Sequence, residues 1–166
     1  MANTYFDGDG LLRKYGTTKA VPNYAGEYKT YGSLREIEVR IDLSLLSTST
    51  QLILSDQVFF PKERVEEVVI EVETAAASSG SGTLDVGLIQ TDRSTEIDFN
   101  GFIAAELTSA LNTAGKKIIY TNGVSKAGAL IGTTTTNVGY LVANANTAVF
   151  QSGIVYVRIR YRPDTQ

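Results

Sequence analysis

Three segments of the chain alternate between apolar and polar residues. They are REIEVRIDL (35–43), RVEEVVIEVET (64–74) and GIVYVRIRY (153–161). Because successive side chains of a strand point to opposite faces of its sheet, this period predicts half-buried β-strands. Each strand would bury one apolar row and present a charged row to solvent.

The outward rows of the second and third segments carry opposite charges. Glu67, Glu71 and Glu73 stand in the second segment, and Arg158 and Arg160 in the third. As neighbouring strands, they would gain ~0.2–1 kcal/mol for each cross-strand pair. The more ordinary arrangement is two independently solvated faces, and the sequence leaves both open.

Shorter apolar runs, separated by Gly, Asn, Ser and Thr, occur throughout the rest of the chain. They lie at 51–60, 83–91, 116–121, 127–133, 139–143 and 147–150. Many short strands at roughly even spacing are typical of a sandwich or barrel rather than of a parallel α/β sheet. We therefore predict an all-β fold, an antiparallel β-sandwich of about eight strands.

One segment has the spacing of a helix instead. In DFNGFIAAELTSALNTAG (98–115), apolar residues recur at Ile103, Leu107, Ala110 and Leu111. Polar or glycine residues that could cap a helix stand at both ends of the segment. The pattern predicts one short α-helix over 101–112.

The first 34 residues lack the alternation and hold five of the nine tyrosines. Fully extended, they would reach ~110 Å at ~3.3 Å per residue, whereas the remaining domain should be roughly 35–40 Å across. We therefore divide the chain into an extended N-terminal arm, residues 1–34, and a β-sandwich domain, residues 35–166. A frayed terminus with locally packed tyrosines is the alternative.

The chain contains neither histidine nor cysteine. This inventory excludes Ser-His triads, thiol nucleophiles, disulfides and thiolate zinc sites. Fifteen basic and eighteen acidic residues give a net charge of −3, which is too balanced to favour a phosphate backbone. We expect no enzymatic activity, no catalytic residues, no cofactor and no nucleic-acid partner.

No segment approaches the ~18 consecutive apolar residues of a membrane span. The N-terminus, MANTYFDGDG, also lacks the basic and apolar regions of a signal peptide. Together with the absence of cysteine, these features predict a protein that is made in the cytoplasm and has no membrane partner.

The strongest catalytic candidate is TDRSTEID (91–98), where Asp92, Glu96 and Asp98 stand near Arg93. Two carboxylates support glycoside hydrolysis only when one of them is kept protonated. An adjacent arginine would hold both ionised, and acidic residues are common before a helix. We interpret the segment as a strand-to-helix connection that is hydrogen-bonded to itself.

Three further segments have composition typical of loops. DGDG (7–10) lacks the remaining oxygen ligands of a calcium loop, and GTTTTNVG (132–139) lacks the lysine of a phosphate-binding loop. We interpret them as a flexible turn and a threonine-rich edge or loop, and we expect no metal site. AAASSGSG (75–82) reads as a flexible connection between two strands.

Four stretches together carry a family resemblance: MANTYFDGDGLLRKYGT (1–17), SSGSGTLDVGLIQTDRSTEID (78–98), FIAAELTSALNTAG (102–115) and GIVYVRIRYRP (153–163). With them, nearly the entire chain resembles the decoration, or cement, proteins on the capsids of tailed bacteriophages. The resemblance implies a jelly-roll-like β-sandwich. It also implies a structural virion protein that binds the outside of the capsid and cements neighbouring major capsid subunits.

The resemblance extends to partners and location. It implies assembly in the host cytoplasm, a place on the capsid surface of the virion, and the major capsid protein as partner. Decoration proteins commonly match the local symmetry of the capsid, so a homo-oligomer is expected, with a trimer favoured.

The arm is the candidate capsid-binding site. Its apolar and basic side chains have no evident core to fill, and aromatic and arginine residues supply much of the energy of interfaces. We predict that Tyr5, Phe6, Leu11, Leu12 and Tyr15 are apolar anchors, and that Arg13 and Lys14 meet acidic groups.

The alternative function is a carbohydrate- or receptor-binding module of a phage tail or fibre. Such a module would need exposed aromatic residues, such as Tyr120, Tyr140 or Tyr156, in one shallow groove. The chain has no tryptophan, which counts against this alternative.

Overall fold

The computed structural model describes residues 4–6, 12–14 and 34–164. The chain divides into two compact units, Met1–Tyr31 and Gly32–Gln166. In the first unit, strands β1 (Thr4–Phe6) and β2 (Leu12–Lys14) pair antiparallel. The rest of the predicted N-terminal arm, up to residue 33, lies outside the described residues.

The second unit, as far as it is described, contains eight strands. They are β3 (Arg35–Asp42), β4 (Leu52–Phe59), β5 (Glu63–Ser78), β6 (Thr83–Gln90), β7 (Glu96–Leu107), β8 (Lys117–Thr121), β9 (Gly139–Asn146) and β10 (Phe150–Pro163). They form two antiparallel four-stranded sheets, with the orders β3-β10-β5-β8 and β4-β9-β6-β7. This order is that of a jelly roll and confirms the predicted all-β sandwich.

The core lies between the inner faces of the two sheets. Val155, Val157 and Ile159 of β10 are completely buried there, as alternation of that strand predicts. Aromatic rings close one part of this layer, because the ring centroid of Phe59 lies 5.3 Å from those of both Phe102 and Tyr161. These contacts connect β4 and β7 of the second sheet with β10 of the first.

A buried polar contact joins the sheets at their β8 and β7 edges. The hydroxyl of Tyr120 donates a hydrogen bond of 2.6 Å to the carboxylate of Glu106. Tyr120 is 1% exposed and Glu106 is 7% exposed. Burial, and then this acceptor, raise the pKa of the Tyr120 hydroxyl, so it remains a donor at any ordinary pH.

The helix predicted over 101–112 is not formed. Strand β7 occupies Glu96–Leu107, and only a 3-10 turn, Thr108–Ala110, follows it. β7 carries extra residues relative to β6, since Val86 pairs with Ile103 but Leu84 pairs with Glu106. Such bulges interrupt the two-residue period of a strand, and the buried and exposed positions of β7 accordingly do not alternate regularly.

Two predicted strands and one predicted loop also differ from the structure. Residues 127–133 form turns rather than a strand, and of 147–150 only Phe150 belongs to a strand. Conversely, β5 continues through Ser78, so the connection predicted over 75–82 is limited to residues 79–82. Small side chains do not prevent Ala75–Ser78 from pairing, because the ladder is formed by the backbone.

The outer face of β6 is covered by the chain itself. Val86 and Leu88 face the core, so Gly87 between them faces outward. A Cβ on Gly87 would lie 2.0 Å from the carbonyl oxygen of Asp98 and 2.4 Å from the carbonyl carbon of Phe99. The bulged part of β7 therefore passes directly over Gly87.

We expect Gly87→Ala to destabilise the domain by ~1–3 kcal/mol or more, because a rigid backbone must move to admit one methyl group. Gly80→Ala is the matched control. Its added Cβ would meet only the Cβ of Ala148, at 3.5 Å, so the change should be within ~0.5 kcal/mol. Urea unfolding measures both, and equal stabilities for the two variants would contradict the close approach.

Candidate functional site

The predicted arm anchors are partly placed by the structure. Five of the seven fall in the short hairpin strands: Tyr5, Phe6, Leu12, Arg13 and Lys14. The register sets Tyr5 opposite Arg13 and Phe6 opposite Leu12. Leu11 and Tyr15 lie outside the described residues, as does DGDG (7–10). The binding role of all seven stays a prediction.

The sequence interpretation assigned no strand to this region. A strand of three residues is too short to show an alternating pattern, so β1 and β2 were not predicted. A signal was nevertheless available, because Asp-Gly between two short runs is a common hairpin sequence.

The outer face of the first sheet carries many charged side chains and is here called the ionic face. It includes these residues of the outward rows of β3, β10, β5 and β8: Glu36, Glu38, Arg40, Asp42, Tyr156, Arg158, Arg160, Glu67, Val69, Glu71, Glu73, Lys117 and Ile119. The register sets Arg158 opposite Glu38 and Arg160 opposite both Glu36 and Glu67. The acidic and basic rows are therefore cross-strand neighbours, and the arrangement of two separately solvated faces is wrong.

Two arginines of β10, Arg158 and Arg160, each bridge two acidic strands. The Nε of Arg160 lies 2.7 Å from the Oε2 of Glu36, and Arg160 also pairs with Glu67. Arg158 pairs with Glu38, and its Nη1 lies 2.7 Å from the Oε2 of Glu71. β10 thus binds β3 on one side and β5 on the other through charge as well as through backbone hydrogen bonds.

The ion pairs shift the pKa values of charged groups on the ionic face. Hydrogen bonds from Arg158, and then from Lys117, lower the pKa of Glu71. Conversely, Glu38 and then Glu71 raise the pKa of Arg158. Side chains of this surface are partly exposed, so each isolated pair contributes little, although linked pairs contribute more than isolated ones.

In the segment 91–98, residues 91–95 are a hairpin connection between β6 and β7, not a connection to a helix, and residues 96–98 already belong to β7. Asp92 accepts hydrogen bonds from the backbone N–H groups of Ser94 at 2.9 Å and Thr95 at 2.8 Å. The Thr95 hydroxyl also donates to it. The prediction that the segment is hydrogen-bonded to itself is confirmed.

The first and last carboxylates of this segment, Asp92 and Asp98, differ in their surroundings. Hydrogen bonds, first from the Thr95 hydroxyl and then from backbone N–H groups, lower the pKa of Asp92 to about 2. Burial raises the pKa of Asp98. The guanidinium of Arg93 lies 5.7 Å from the ring centroid of Tyr140.

The three tyrosines of the alternative function do not share a groove. Tyr120 is buried between the sheets, where it binds Glu106. Tyr140 lies on β9 of the second sheet, against Arg93. Tyr156 lies on the ionic face, opposite Arg40. The outer faces of the two sheets point in opposite directions, so no single ligand spans these residues.

The threonine-rich segment 132–139 holds a turn in place. The Thr135 hydroxyl donates to the carbonyl oxygen of Phe60 at 2.6 Å, and the Thr135 backbone N–H donates to that of Glu63 at 2.8 Å. Glu63 in turn accepts from the backbone N–H of Phe60 at 3.0 Å. These contacts support its interpretation as a loop rather than a phosphate site.

A shallow groove of about 520 Å³ lies where the chain crosses between the sheets after β5 and β7. It is lined mainly by small residues: Ala77, Ser78, Gly80, Ser81, Gly82, Leu107, Thr108 and Ser109. The Thr108 hydroxyl bonds to Ser78 at 3.1 Å and to the Gly82 carbonyl at 2.6 Å. Its polar groups therefore bind one another.

The described ranges contain neither a metal-ligand cluster nor a membrane-spanning helix. Among those residues, no group of three or more acidic side chains is placed to hold a metal ion. No helix within the same ranges is long and apolar enough to cross a membrane.

The fold of this chain is similar to that of chains in solved structures of phage capsids. A chain in the capsid of Ralstonia phage GP4 is 16% identical, and the alignment covers 87% of this chain and 93% of that chain with a TM-score of 0.53. For a chain in the capsid asymmetric unit of cyanophage Pam1, the identity is 16%, the coverage 88% and 97%, and the TM-score 0.51. This chain shares the fold of both.

A third structure, the acidic stable capsid of Helicobacter pylori bacteriophage KHP30, contains a chain of 13% identity. That alignment covers 81% of this chain and 91% of that chain, with a TM-score of 0.48. No protein-family model matches the chain, and no curated protein matches it in sequence.

The lowered pKa of Asp92 predicts an acid effect on stability. Its value of about 2, against an ordinary 3.8, means that the carboxylate stabilises the folded state above the ordinary pKa. This contribution is lost as the pH falls from 3.8 towards 2. In Asp92→Asn, which has no group to titrate, the free energy of unfolding should therefore fall less steeply over this range.

Urea unfolding at several pH values provides the measurement. Thr95→Val is the control, since it removes the largest cause of the shift and should return the pKa of Asp92 towards its ordinary value. NMR titration of Asp92 with a midpoint of 3.8 in the unmodified protein would contradict the turn geometry.

Proposed function

We propose that this chain is a structural protein of a phage virion that binds the outside of the capsid and cements neighbouring capsid subunits. In this role it acts by adhesion and not by catalysis. Its partner is the major capsid protein, and it functions as a homo-oligomer, with a trimer favoured.

The observation that carries the proposal is the shared fold with chains of two phage capsids. Both alignments cover most of this chain and more than nine-tenths of the other chain. The matched chains are therefore about as long as this one. The proposal agrees with the independent resemblance of four sequence stretches to cement proteins.

The chemistry of the described residues favours adhesion. The sequence has no histidine and no cysteine, and Asp92 is engaged by the turn that contains it. The charges of the ionic face are largely paired with each other, which leaves little net field for a small charged ligand. Nothing in the described part favours the carbohydrate-binding alternative, since its three tyrosines are separated.

The proposed mechanism depends on repetition. A single small domain buries a modest area on its partner and binds with moderate affinity. Many copies placed across the seams between subunits raise the cost of opening the shell, because opening then requires that many attachments break together. The N-terminal residues would supply much of each attachment, through Tyr5, Phe6 and the other predicted anchors.

We expect deletion of residues 2–30 to abolish or greatly weaken binding to capsids assembled without this protein. If each buried aromatic side chain contributes ~2 kcal/mol, the loss of two would weaken one attachment about a thousandfold. Co-sedimentation with these capsids measures binding. Thermal unfolding of the truncated chain measures folding, which should persist because the strands of the sandwich begin at Arg35.

A matched pair of variants separates the arm from apolar surface in general. Phe6→Ala with Leu12→Ala should weaken binding, whereas Leu45→Ala with Ile119→Ala should not. The latter two side chains are 68% and 55% exposed on the domain. Unchanged capsid binding after the deletion would refute the arm hypothesis, and collapse of the fold would show that the N-terminal residues belong to the core.

A further inference from the structure

The two sheets have four edge strands, which differ in how well their edges are protected. Over the described residues, β3 pairs only with β10, and its eight residues pair without a register shift. No further backbone hydrogen bond to Arg35–Asp42 is present within the described ranges. In a strand of this kind, every second residue directs its N–H and C=O groups away from the sheet.

The other three edges are interrupted, covered or short. β4 is broken by a bulge between Leu54 and Val58. β7 is covered by the segment 126–130, with backbone bonds of 2.9 Å from Ala104 to Lys126 and 2.8 Å from Leu130 to Gly101. β8 has only five residues. Natural proteins usually protect edges in these ways, and β3 has none of these three protections.

The side chains along β3 define what could pair with it. Its outward row is Glu36, Glu38, Arg40 and Asp42, an excess of acidic groups. Glu36 and Glu38 each use one carboxylate oxygen for Arg160 and Arg158. A carboxylate accepts several hydrogen bonds, so both can also receive a cation from the open side.

A second copy of β3 is a poor match for this row. An antiparallel register that sets Glu36 opposite Arg40 also sets Glu38 opposite itself. The register that sets Glu38 opposite Arg40 places Glu36 opposite Asp42. Directly opposed like charges destabilise a strand pair. The charge pattern therefore favours a different strand, one with basic residues at alternate positions.

We propose that the free edge of β3 is an attachment site that adds one extended strand from a capsid subunit, with basic residues facing Glu36 and Glu38. This inference rests on the proposed function and names a second contact beside the N-terminal residues. Backbone hydrogen bonds supply affinity in such strand addition, and the alternating side chains supply specificity. The Glu36 and Glu38 row selects the register of the added strand.

Amide hydrogen exchange on the full-length protein tests the inference. The probe is capsids assembled without this protein. Upon binding, the outward amides of β3 should exchange at least tenfold more slowly. Residues 67–71 of β5 serve as the internal control, because they are already paired with β10 on one side and β8 on the other and should not change.

The outcomes distinguish this inference from the function on which it rests. Capsid binding without new protection of Arg35–Asp42 would overturn the inference and leave the proposed function intact. No capsid binding at all would overturn both. Protection of β3 in the free protein would also overturn it, with a second copy indicated if the protection depends on concentration, and the chain's own N-terminal residues if it does not.

Charge variants provide a second, matched test. Glu36→Gln with Glu38→Gln removes the carboxylate partners of Arg160 and Arg158 on the β3 side of β10. Glu67→Gln with Glu71→Gln removes one from each arginine on the β5 side, and one from Lys117 as well. The control therefore loses at least as many ion pairs.

The first variant should weaken capsid binding about tenfold, as the loss of two cross-strand pairs implies. The control should bind normally, even if its thermal unfolding temperature falls as much or more. Equal weakening by both variants would show that the ionic face acts through stability alone, and would overturn the role of the β3 edge.

Discussion

The architecture of this domain depends on the burial of one apolar row from each long strand between two facing sheets. β10 is central to this layer, because it pairs with β3 on one side and β5 on the other. Its inward row, Val155, Val157 and Ile159, is completely buried. Since strand side chains alternate strictly, the same burial fixes Arg158 and Arg160 on the outer face. The ionic face is thus a consequence of the core, and its charges could not exchange places with the buried row by a one-residue shift.

Polar groups strengthen the sandwich only where the geometry satisfies them. Tyr120 and Glu106 are both buried, and the hydrogen bond between them joins an edge of each sheet. The Thr135 and Glu63 contacts similarly attach a long connection to the start of β5. An unsatisfied group at any of these positions would cost ~1–3 kcal/mol. These buried acidic and hydroxyl side chains are therefore engaged in structure, which is consistent with a protein whose proposed task is adhesion.

The edges of the sheets connect the fold to that proposed task. Bulges in β4, coverage of β7 and the shortness of β8 each limit unwanted pairing. β3 differs because its ladder with β10 is regular over its entire length. Long regular edges favour association, and a protein that assembles on a shell can use one. The N-terminal hairpin and the β3 edge would then act as two weak contacts on one partner, which together bind more tightly than either alone.

The sequence by itself determined the strands whose inner and outer rows differ in polarity. Ile37, Val39 and Ile41 alternate with Glu36, Glu38 and Arg40, so β3 was predictable, and so were most of the eight strands and the absence of histidine and cysteine chemistry. The course of β7 was not predictable, because its bulges are set by contacts with β6 and interrupt the regular alternation of buried and exposed positions. Likewise, only the tertiary structure decided that Arg158 and Arg160 lie between two acidic rows, and that β3 is the long edge left uncovered among the described strands. Local periodicity records which face of a strand is buried, whereas the choice of neighbouring strand is made by contacts between residues far apart in the chain.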